Sequence, residues 1–218
     1  MRSIAVLGGS GQQGSGLARR LAAAGVRVVV GSRDPARARE TVAAWDAIGE
    51  PIDVAGNAAA VEQCDITVLA VPFTSVDALL GEVRSHFAAG SLVIDVTVPL
   101  AFSGGRMSML EVEEGSASEH IRAQLPEGVQ LAAAFKTIPA RLLADVRAPL
   151  DCDEFVCGDS DEARAQAARL VELLPRLRAI DVGPLSRARF IEHLTALAVA
   201  VNRTHKIHDA RFRVVGLP

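Results

Sequence analysis

The feature that most constrains the fold is the passage from an apolar strand into a glycine-rich turn near the N-terminus. Residues 3–7 read SIAVL, and the residues from Gly9 to Gly14 have the spacing G-x-G-x-x-G. Apolar residues then recur at helical spacing up to Gly25, which is placed to end that helix. A strand, a tight turn and a helix in this order let a pyrophosphate reach the free N–H groups at the helix start. We therefore predict a nucleotide-binding unit here rather than a merely glycine-rich surface turn.

Strand and helix signals continue to alternate along the chain, which is typical of a parallel sheet with helices on both faces. We predict an α/β fold with a doubly wound parallel Rossmann sheet and a smaller C-terminal α/β and helical portion. The expected strands are 3–7, 27–30, 52–54, 66–70, 92–96, 129–133, 155–157 and 177–180, and further helices are expected at 35–45, after an N-cap at Asn57, and at 76–83, 161–174 and 186–201. Residues 1–140 are expected to form the dinucleotide-binding domain and residues 141–218 a smaller C-terminal region.

Two local patterns lead to more specific expectations. The stretch 100–115 is rich in Gly, Ser and Met. We expect it to be irregular, and either mobile or laid against a ligand. Asp159, with Glu162 three residues later, is expected to cap the helix that follows.

Composition restricts the possible partners. The 218 residues carry 23 basic and 26 acidic side chains, for a net charge of −3, so no basic face for nucleic acid is expected. The apolar runs are too short to span a bilayer, and the N-terminus lacks a targeting pattern, so a soluble cytoplasmic protein is expected. Three unevenly spaced cysteines favour a reducing compartment and ordinary packing, and no metal site is expected. The last helix is apolar on several faces, which suggests a homodimer formed through it.

The residues after the second strand indicate which dinucleotide is bound. A protein that prefers NAD usually places an acid there to hold the ribose hydroxyls, whereas this chain reads Ser32 and Arg33, with Arg37 one helical turn further on. A guanidinium can hold a 2′-phosphate through paired charge-assisted hydrogen bonds. We therefore expect NADP(H). In the competing interpretation Asp34 is the selector and Arg33 only extends across the helix start.

The candidate catalytic side chains are few. The chain has no tyrosine, which excludes the Tyr–Lys proton donor of short-chain dehydrogenases, and its five histidines do not follow strands of the nucleotide-binding half. Lys136 follows a predicted strand and is the best single candidate for a proton or charge role. Hydride transfer between two ring systems would need no protein acid or base, because positioning alone lowers the barrier.

Several longer motifs resemble one family. They are VLGGSGQQGSGLARRLAAAG, VVVGSR, CDITVLAVP, VCGDSDEARAQAARLVE and LRAIDVGPLSRARFIEHLTAL. From Met1 to about Asn202 the chain resembles the F420-dependent NADP reductases. The resemblance implies a Rossmann domain that binds NADP(H), a C-terminal region that builds the dimer and part of the pocket for the deazaflavin coenzyme F420, and direct hydride transfer between nicotinamide C4 and deazaflavin C5.

The resemblance also implies ligand contacts, but no catalytic side chain. The implied cofactor-binding residues are Ser10, Gly11, Gln12 and Gln13 at the pyrophosphate; Ser32, Arg33 and Arg37 at the 2′-phosphate; Val71, Val98 and Ala140 at the nicotinamide; and Thr137, Ile138 and Pro139 at the deazaflavin. The chain departs from the family at Lys136, where many members carry histidine. This lysine could pair with the anionic deazaflavin or mark a different acceptor.

Two alternatives remain open at this level. The acceptor could be a flavin, a ferric chelate or an imine, because related Rossmann domains serve those reactions. Alternatively, the protein could be a non-enzymatic module that senses NADP(H), since scarce acid and base residues would permit that role equally.

Overall fold

A computed structural model describes residues 3–46 and 49–217. Its strands are β1 (Ile4–Leu7), β2 (Val28–Ser32), β3 (Ile52–Gly56), β4 (Ile66–Leu69), β5 (Leu92–Asp95), β6 (Leu100–Ser103), β7 (Arg106–Met109), β8 (Gln130–Ala133), β9 (Cys152–Gly158) and β10 (Leu177–Pro184). Its helices are α1 (Gln12–Ala23), α2 (Pro35–Ala43), α3 (Asn57–Glu62), α4 (Val76–Val83), α5 (Ala117–Gln124), α6 (Ala140–Ala144), α7 (Asp161–Glu172) and α8 (Ala188–His205). The strands and helices predicted from periodicity are present in this order, with boundaries shifted by a few residues, whereas β6, β7, α5 and α6 were not predicted.

Eight strands form one sheet in the order β10-β9-β8-β5-β4-β1-β2-β3. The pairs from β8 to β3 are parallel, and β9 runs antiparallel to β8. Apolar residues form one core on each face of the sheet, as expected for parallel strands covered by helices. The predicted α/β fold is confirmed, with the correction that β9 and β10 are reversed relative to the other strands.

The strand order reverses next to β1, which pairs with β2 on one side and β4 on the other. In sheets of this kind ligands bind in the crevice beyond the carboxyl ends of the strands at the reversal. The sheet continues without interruption through strands on both sides of residue 140, and the division into two domains stays a prediction. Its outer limits, Met1 and Pro218, lie outside the described residues.

The glycine-rich turn between β1 and α1 is packed so tightly that side chains would not fit. Gly8 has a φ of +78°, and a Cβ on Gly14 would lie 2.4 Å from the Gly8 carbonyl oxygen. The last glycine of the motif therefore allows α1 to pack directly on the turn. Gly25 follows the end of α1 with a φ of +81°, which agrees with its predicted role at the helix end.

The expectation of an irregular stretch over 100–115 is wrong for residues 100–109 and confirmed for residues 110–115, which form no helix or strand. Its first part is the antiparallel hairpin β6–β7, whose turn is Gly104-Gly105 with φ angles of +54° and +73°. Two consecutive glycines at positive φ suit the two-residue turns of hairpins, so the turn signal was present in the sequence.

Helix α5, which follows, was not predicted either. Its N-cap Ser116 accepts a hydrogen bond from the Glu119 backbone N–H at 3.1 Å, an S-x-x-E capping pattern that the sequence also contains.

Two predicted helix caps are also wrong. Ser160, not Asp159, caps α7 and accepts a hydrogen bond from the backbone N–H of Ala163 at 3.1 Å. The Asp159 carboxylate instead accepts from Leu131 N–H at 2.8 Å, so it is used to join β8 to the start of α7. Asn57 is the first residue of α3 rather than its cap, and its side-chain amide donates to Glu82.

Candidate functional site

The start of α1 is open at the carboxyl edge of the sheet. No side chain caps this helix end, its first turn contains no acidic residue, and Ser10, Gly11 and Gln12 are exposed. A Cβ on Gly8 would lie 2.8 Å from Val71 Cγ1, so the residue that follows β4 lies directly beside the turn. Uncapped N–H groups and the positive end of the helix dipole at an exposed turn are suited to an anionic ligand such as a pyrophosphate.

Gln13 was expected at the pyrophosphate, and the structure uses its side chain elsewhere. The Gln13 amide donates to the carbonyl oxygens of Phe135 at 3.0 Å and Ile138 at 3.2 Å. Any contact of Gln13 with a phosphate would therefore use its backbone N–H. The side chain links the glycine-rich turn to the segment that follows β8.

The end of β2 presents two guanidinium groups to solvent. Within residues 3–46 and 49–217, neither Arg33 nor Arg37 forms a side-chain hydrogen bond or ion pair, and both are exposed. Asp34, the competing selector, accepts a hydrogen bond from Arg37 N–H at 3.1 Å as the N-cap of α2. The Ser32 hydroxyl lies 3.1 Å from both the carbonyl oxygen and the backbone N–H of Asp34, and it forms hydrogen bonds with these two groups. The carboxylate thus has a structural role, and the two cations are available.

The segment between β8 and α6, residues 134–139, which we call the β8–α6 loop, carries most of the residues expected at the second ligand. Thr137 and Ile138 are buried, whereas Pro139 and Ala140 are half-buried. Val98, which follows the neighbouring strand β5, is half-buried as well. In this structure Pro139, Ala140 and Val98 therefore offer side-chain surface, whereas Thr137 and Ile138 have little exposed surface to offer.

Lys136 lies in a buried cluster of charges at the ends of β5 and β8. Its ammonium donates to Asp95 Oδ2 at 2.6 Å, to Glu192 Oε1 at 3.1 Å and to the Thr97 carbonyl oxygen. Burial alone would lower the pKa of Lys136, but the charges of Asp95 and Glu192 outweigh burial and hold this pKa above its usual value. Because its three N–H bonds are all used, the side chain that looked most suited to proton transfer is a fixed positive charge.

Glu154 is a residue of this region that the sequence analysis missed. Its side chain comes from β9 and accepts hydrogen bonds from Lys136 N–H at 2.8 Å, Thr137 N–H at 3.3 Å and the Thr137 hydroxyl at 2.6 Å. Burial raises the pKa of Glu154 to about 7, although these three hydrogen bonds and the Lys136 charge favour its ionised form. The two acidic residues of the fully buried strand CDEFVCG, Asp153 and Glu154, were the available signal, but the predicted strand began only at Phe155.

A cleft of about 690 Å³ opens beside the end of β5. It is bounded by Pro99, by the chain that leaves β7 from Met109 to Glu113, and by Glu192 and His193 of α8. His193 is exposed, and its Nδ1–H donates to the Arg189 carbonyl oxygen of its own helix at 2.6 Å. The cleft lies next to Val98 and the buried Lys136 cluster, so it adjoins the edge where the dinucleotide is expected.

Comparison with known proteins identifies the family. Residues 3–99 match a family model described as NADP oxidoreductase, coenzyme F420-dependent. An F420-dependent NADP reductase of Methanothermobacter marburgensis is 39% identical to the chain over 222 residues, covering 99% of both proteins. The chain belongs to the F420-dependent NADP reductase family. A reductase of the same name from Methanocaldococcus jannaschii is 32% identical, covering 98% of each chain.

A solved structure gives the same picture for the fold. A crystal structure from Arthrobacter sp. FB24, described as a candidate F420-dependent NADP reductase, superposes with a TM-score of 0.82. The two chains are 26% identical, and the match covers 99% of this chain and all of the other. The likeness therefore includes β9, β10 and α8 as well as the nucleotide-binding half of the sheet.

Three further properties of the described residues concern thiols, metal ligands and membrane spans. Cys64, Cys152 and Cys157 are buried as free thiols, and burial raises the pKa of Cys152 to about 11 and that of Cys157 to about 12. Across residues 3–46 and 49–217, no three His, Cys, Asp or Glu side chains group as metal ligands would. No helix in that part of the chain has the length and apolar character needed to cross a bilayer.

The raised pKa of Glu154 predicts a pH-dependent contribution to stability. Its pKa rises from 4.5 to about 7 on folding, so the folded state binds this proton more tightly. The resulting stabilisation is fully present below pH 4.5 and is lost as the pH rises through about 7. Between pH 5.5 and pH 8 the free energy of unfolding should fall by roughly 2 kcal/mol from this group. Urea unfolding at the two pH values measures the fall. The fall in the free energy of unfolding should be smaller in Glu154→Gln, which has no carboxyl group to titrate. An equal fall in the wild-type protein and the variant would contradict the assignment of this pH dependence to Glu154.

Proposed function

We propose that this protein transfers a hydride between NADP(H) and coenzyme F420. The observation that carries the proposal is the 39% identity over 99% of the chain to an F420-dependent NADP reductase, since it spans the nucleotide-binding strands and the C-terminal elements together. Other acceptors such as flavins, ferric chelates or imines are not favoured by the family members found. A module that only senses NADP(H) is not favoured either.

The glycine-rich turn and the end of β2 would hold NADP(H). Backbone N–H groups of Ser10, Gln12 and Gln13 would bind the pyrophosphate at the uncapped start of α1. The Gly11 N–H donates to the Gly8 carbonyl oxygen at 2.9 Å, so Gly11 would contribute by letting the ligand approach the backbone closely. Ser32, Arg33 and Arg37 would bind the 2′-phosphate. The support for this assignment is that the two guanidiniums form no ion pair in the described chain while Asp34 is occupied as a helix cap.

The ends of β4, β5 and β8 would hold the two rings. Val71 and Val98 with Ala140 would flank the nicotinamide, and Thr137, Ile138 and Pro139 would line the deazaflavin. The two rings supply the hydride chemistry when they are bound. The chain would bind and orient them and exclude water, because such a transfer requires alignment and close approach rather than a protein acid or base. The fully hydrogen-bonded Lys136 supports a reaction without a lysine proton donor.

A turnover assay tests the proposed activity. Purified protein mixed with NADPH and oxidised F420 should remove the visible absorbance of the deazaflavin. Turnover with FMN, ferric chelate or pyrroline carboxylate, and none with F420, would favour a different acceptor. Binding of NADPH without turnover on any of the four would favour the sensing role.

The selector residue can be tested by charge reversal. Arg33→Glu removes charge-assisted hydrogen bonds to the 2′-phosphate and adds repulsion, so NADPH binding should weaken by about 2 to 4 kcal/mol with little change for NADH. Arg39→Glu is the matched control, because Arg39 is an exposed arginine of the same helix region and gives the same change in net charge. Isothermal titration of both dinucleotides measures the effect. If the affinities for NADPH and NADH fell together in Arg33→Glu, the selector assignment would be wrong.

We also propose that the protein is a cytoplasmic homodimer formed through α8. Phe190, His193, Leu197 and Ala200 are exposed along one face of this helix at spacings of three and four residues. Phe190 retains 65% of its surface and Leu197 retains 51%, which is unusual for large apolar side chains unless a partner covers them. Free buried thiols support a reducing compartment.

The oligomeric state is measured by sedimentation velocity. Phe190→Glu with Leu197→Glu should shift the protein from dimer to monomer, because charge would be buried without a partner at the interface. Leu173→Glu, at the C-cap of α7 where the leucine is 40% exposed, is the control and should leave the protein dimeric. A monomeric wild-type protein at micromolar concentration would contradict the proposal.

A further inference from the structure

The β8–α6 loop begins in a conformation that its sequence does not favour. Phe135 has a φ of +58° and is completely buried, although a bulky residue in the left-handed region is uncommon and strained. Such a conformation persists only where the surroundings fix it. The loop therefore needs specific partners to keep its shape.

Both ends of the loop are fixed by packing. β8 pairs with β5 and β9 on its two sides. At the other end α6 lies directly on α1, where a Cβ on Gly16 would be 2.5 Å from Leu143 Cβ. The Arg20 guanidinium adds hydrogen bonds to carbonyl oxygens of α6 and the residues after it, including Leu143 at 3.0 Å. The middle of the loop, Lys136 to Ile138, has no comparable packing from secondary structure and depends on side chains.

Three side chains from different elements hold the backbone of this middle part. Gln13 from α1 donates to Phe135 and Ile138 carbonyl oxygens, and the Thr195 hydroxyl from α8 donates to the Lys136 carbonyl oxygen at 2.9 Å. Glu154 accepts hydrogen bonds from the N–H groups of Lys136 and Thr137. These N–H groups belong to the same two peptide units as the carbonyl oxygens of Phe135 and Lys136. Carbonyl and N–H groups of consecutive residues are thus held at once, which fixes the orientation of each peptide plane.

We propose that Glu154 is a positioning residue for the acceptor ring. From β9, without touching ligand, it sets the backbone and hydroxyl of Thr137, and so the position of the surface that Pro139 offers to the deazaflavin two residues later. The proposal rests on the proposed function of this site. A carboxylate is suited to this role because its two oxygens accept three hydrogen bonds, from Lys136 N–H, Thr137 N–H and the Thr137 hydroxyl. An amide in its place would turn an NH₂ group toward one of these donors.

The charged groups around Glu154 do not replace it. The Lys136 ammonium attracts Glu154 electrostatically, but its hydrogen bonds go to Asp95, Thr97 and Glu192. The nearby Cys152 thiol is neutral, because burial and the charge of Glu154 raise its pKa to about 11. An ammonium cannot accept a hydrogen bond, and Glu154 is the acceptor of the Lys136 and Thr137 N–H groups in the described chain. Removal of the Glu154 carboxylate would therefore leave those donors without their acceptor.

The test compares Michaelis constants for the two substrates. In Glu154→Gln the KM for F420 should rise about tenfold, the change expected when one buried hydrogen bond to a charged group is lost, while the KM for NADPH should stay within about twofold. Thr137→Val, which removes the hydroxyl that reaches Glu154, should reproduce the effect. Thr137→Ser keeps the hydroxyl and should raise the KM for F420 less than Thr137→Val does. This pair tests the proposal even if Glu154→Gln does not fold.

A double variant separates positioning from direct contact. If Thr137 acts through Glu154, Glu154→Gln combined with Thr137→Val should be no worse than the worse single variant. Additive effects would overturn the proposal, as would parallel increases in both KM values or no increase in either. Asp159→Asn is the control, because Asp159 also accepts a backbone N–H of β8 but at the far end of the strand, and it should lower stability without changing the ratio of the two KM values. A wild-type protein without F420 turnover would refute the proposed function instead, so the two failures are distinguishable.

Discussion

The carboxyl edge of the sheet depends on one constraint, the buried and strained backbone that follows β8. The Phe135 conformation is costly, and four elements supply the polar groups that hold the chain around it. Through Gln13 the same segment is tied to the glycine-rich turn. The two surfaces expected to meet NADP(H) and F420 are therefore parts of one hydrogen-bonded unit, which is suited to fixing the distance between two rings.

The charges at this edge explain why Lys136 is not free to act as a proton donor. Lys136 is the only lysine in the body of the fold, and Asp95, Glu192 and Thr97 accept its three N–H bonds. Breaking such a buried pair would cost several kcal/mol, because an uncompensated charge would remain. The ammonium is therefore suited to holding β5, the β8–α6 loop and α8 together. A reaction that moves only a hydride between aligned rings does not require it for proton transfer.

Local signals in the sequence were sufficient for the strand–turn–helix unit and for most strands and helices along the chain, because each is set by residues close in sequence. The hairpin at Gly104-Gly105 and the Ser116 cap also had local signals, and these were passed over. Glu154 and the partners of Lys136 are different in kind. Their contacts join residues 17 to 56 positions apart in the sequence. The antiparallel direction of β9 brings Glu154 next to the β8–α6 loop, and hydrophobic periodicity does not specify strand direction.

The most direct test of the account follows a label on the transferred hydrogen. NADPH carrying deuterium at the transferred C4 position would be mixed with the protein and oxidised F420 in ordinary water, and the reduced deazaflavin analysed by mass spectrometry and NMR. Direct transfer between aligned rings predicts one deuterium at deazaflavin C5, from one face of the nicotinamide only. Deuterium found in water, with an unlabelled product, would contradict a site built for positioning alone.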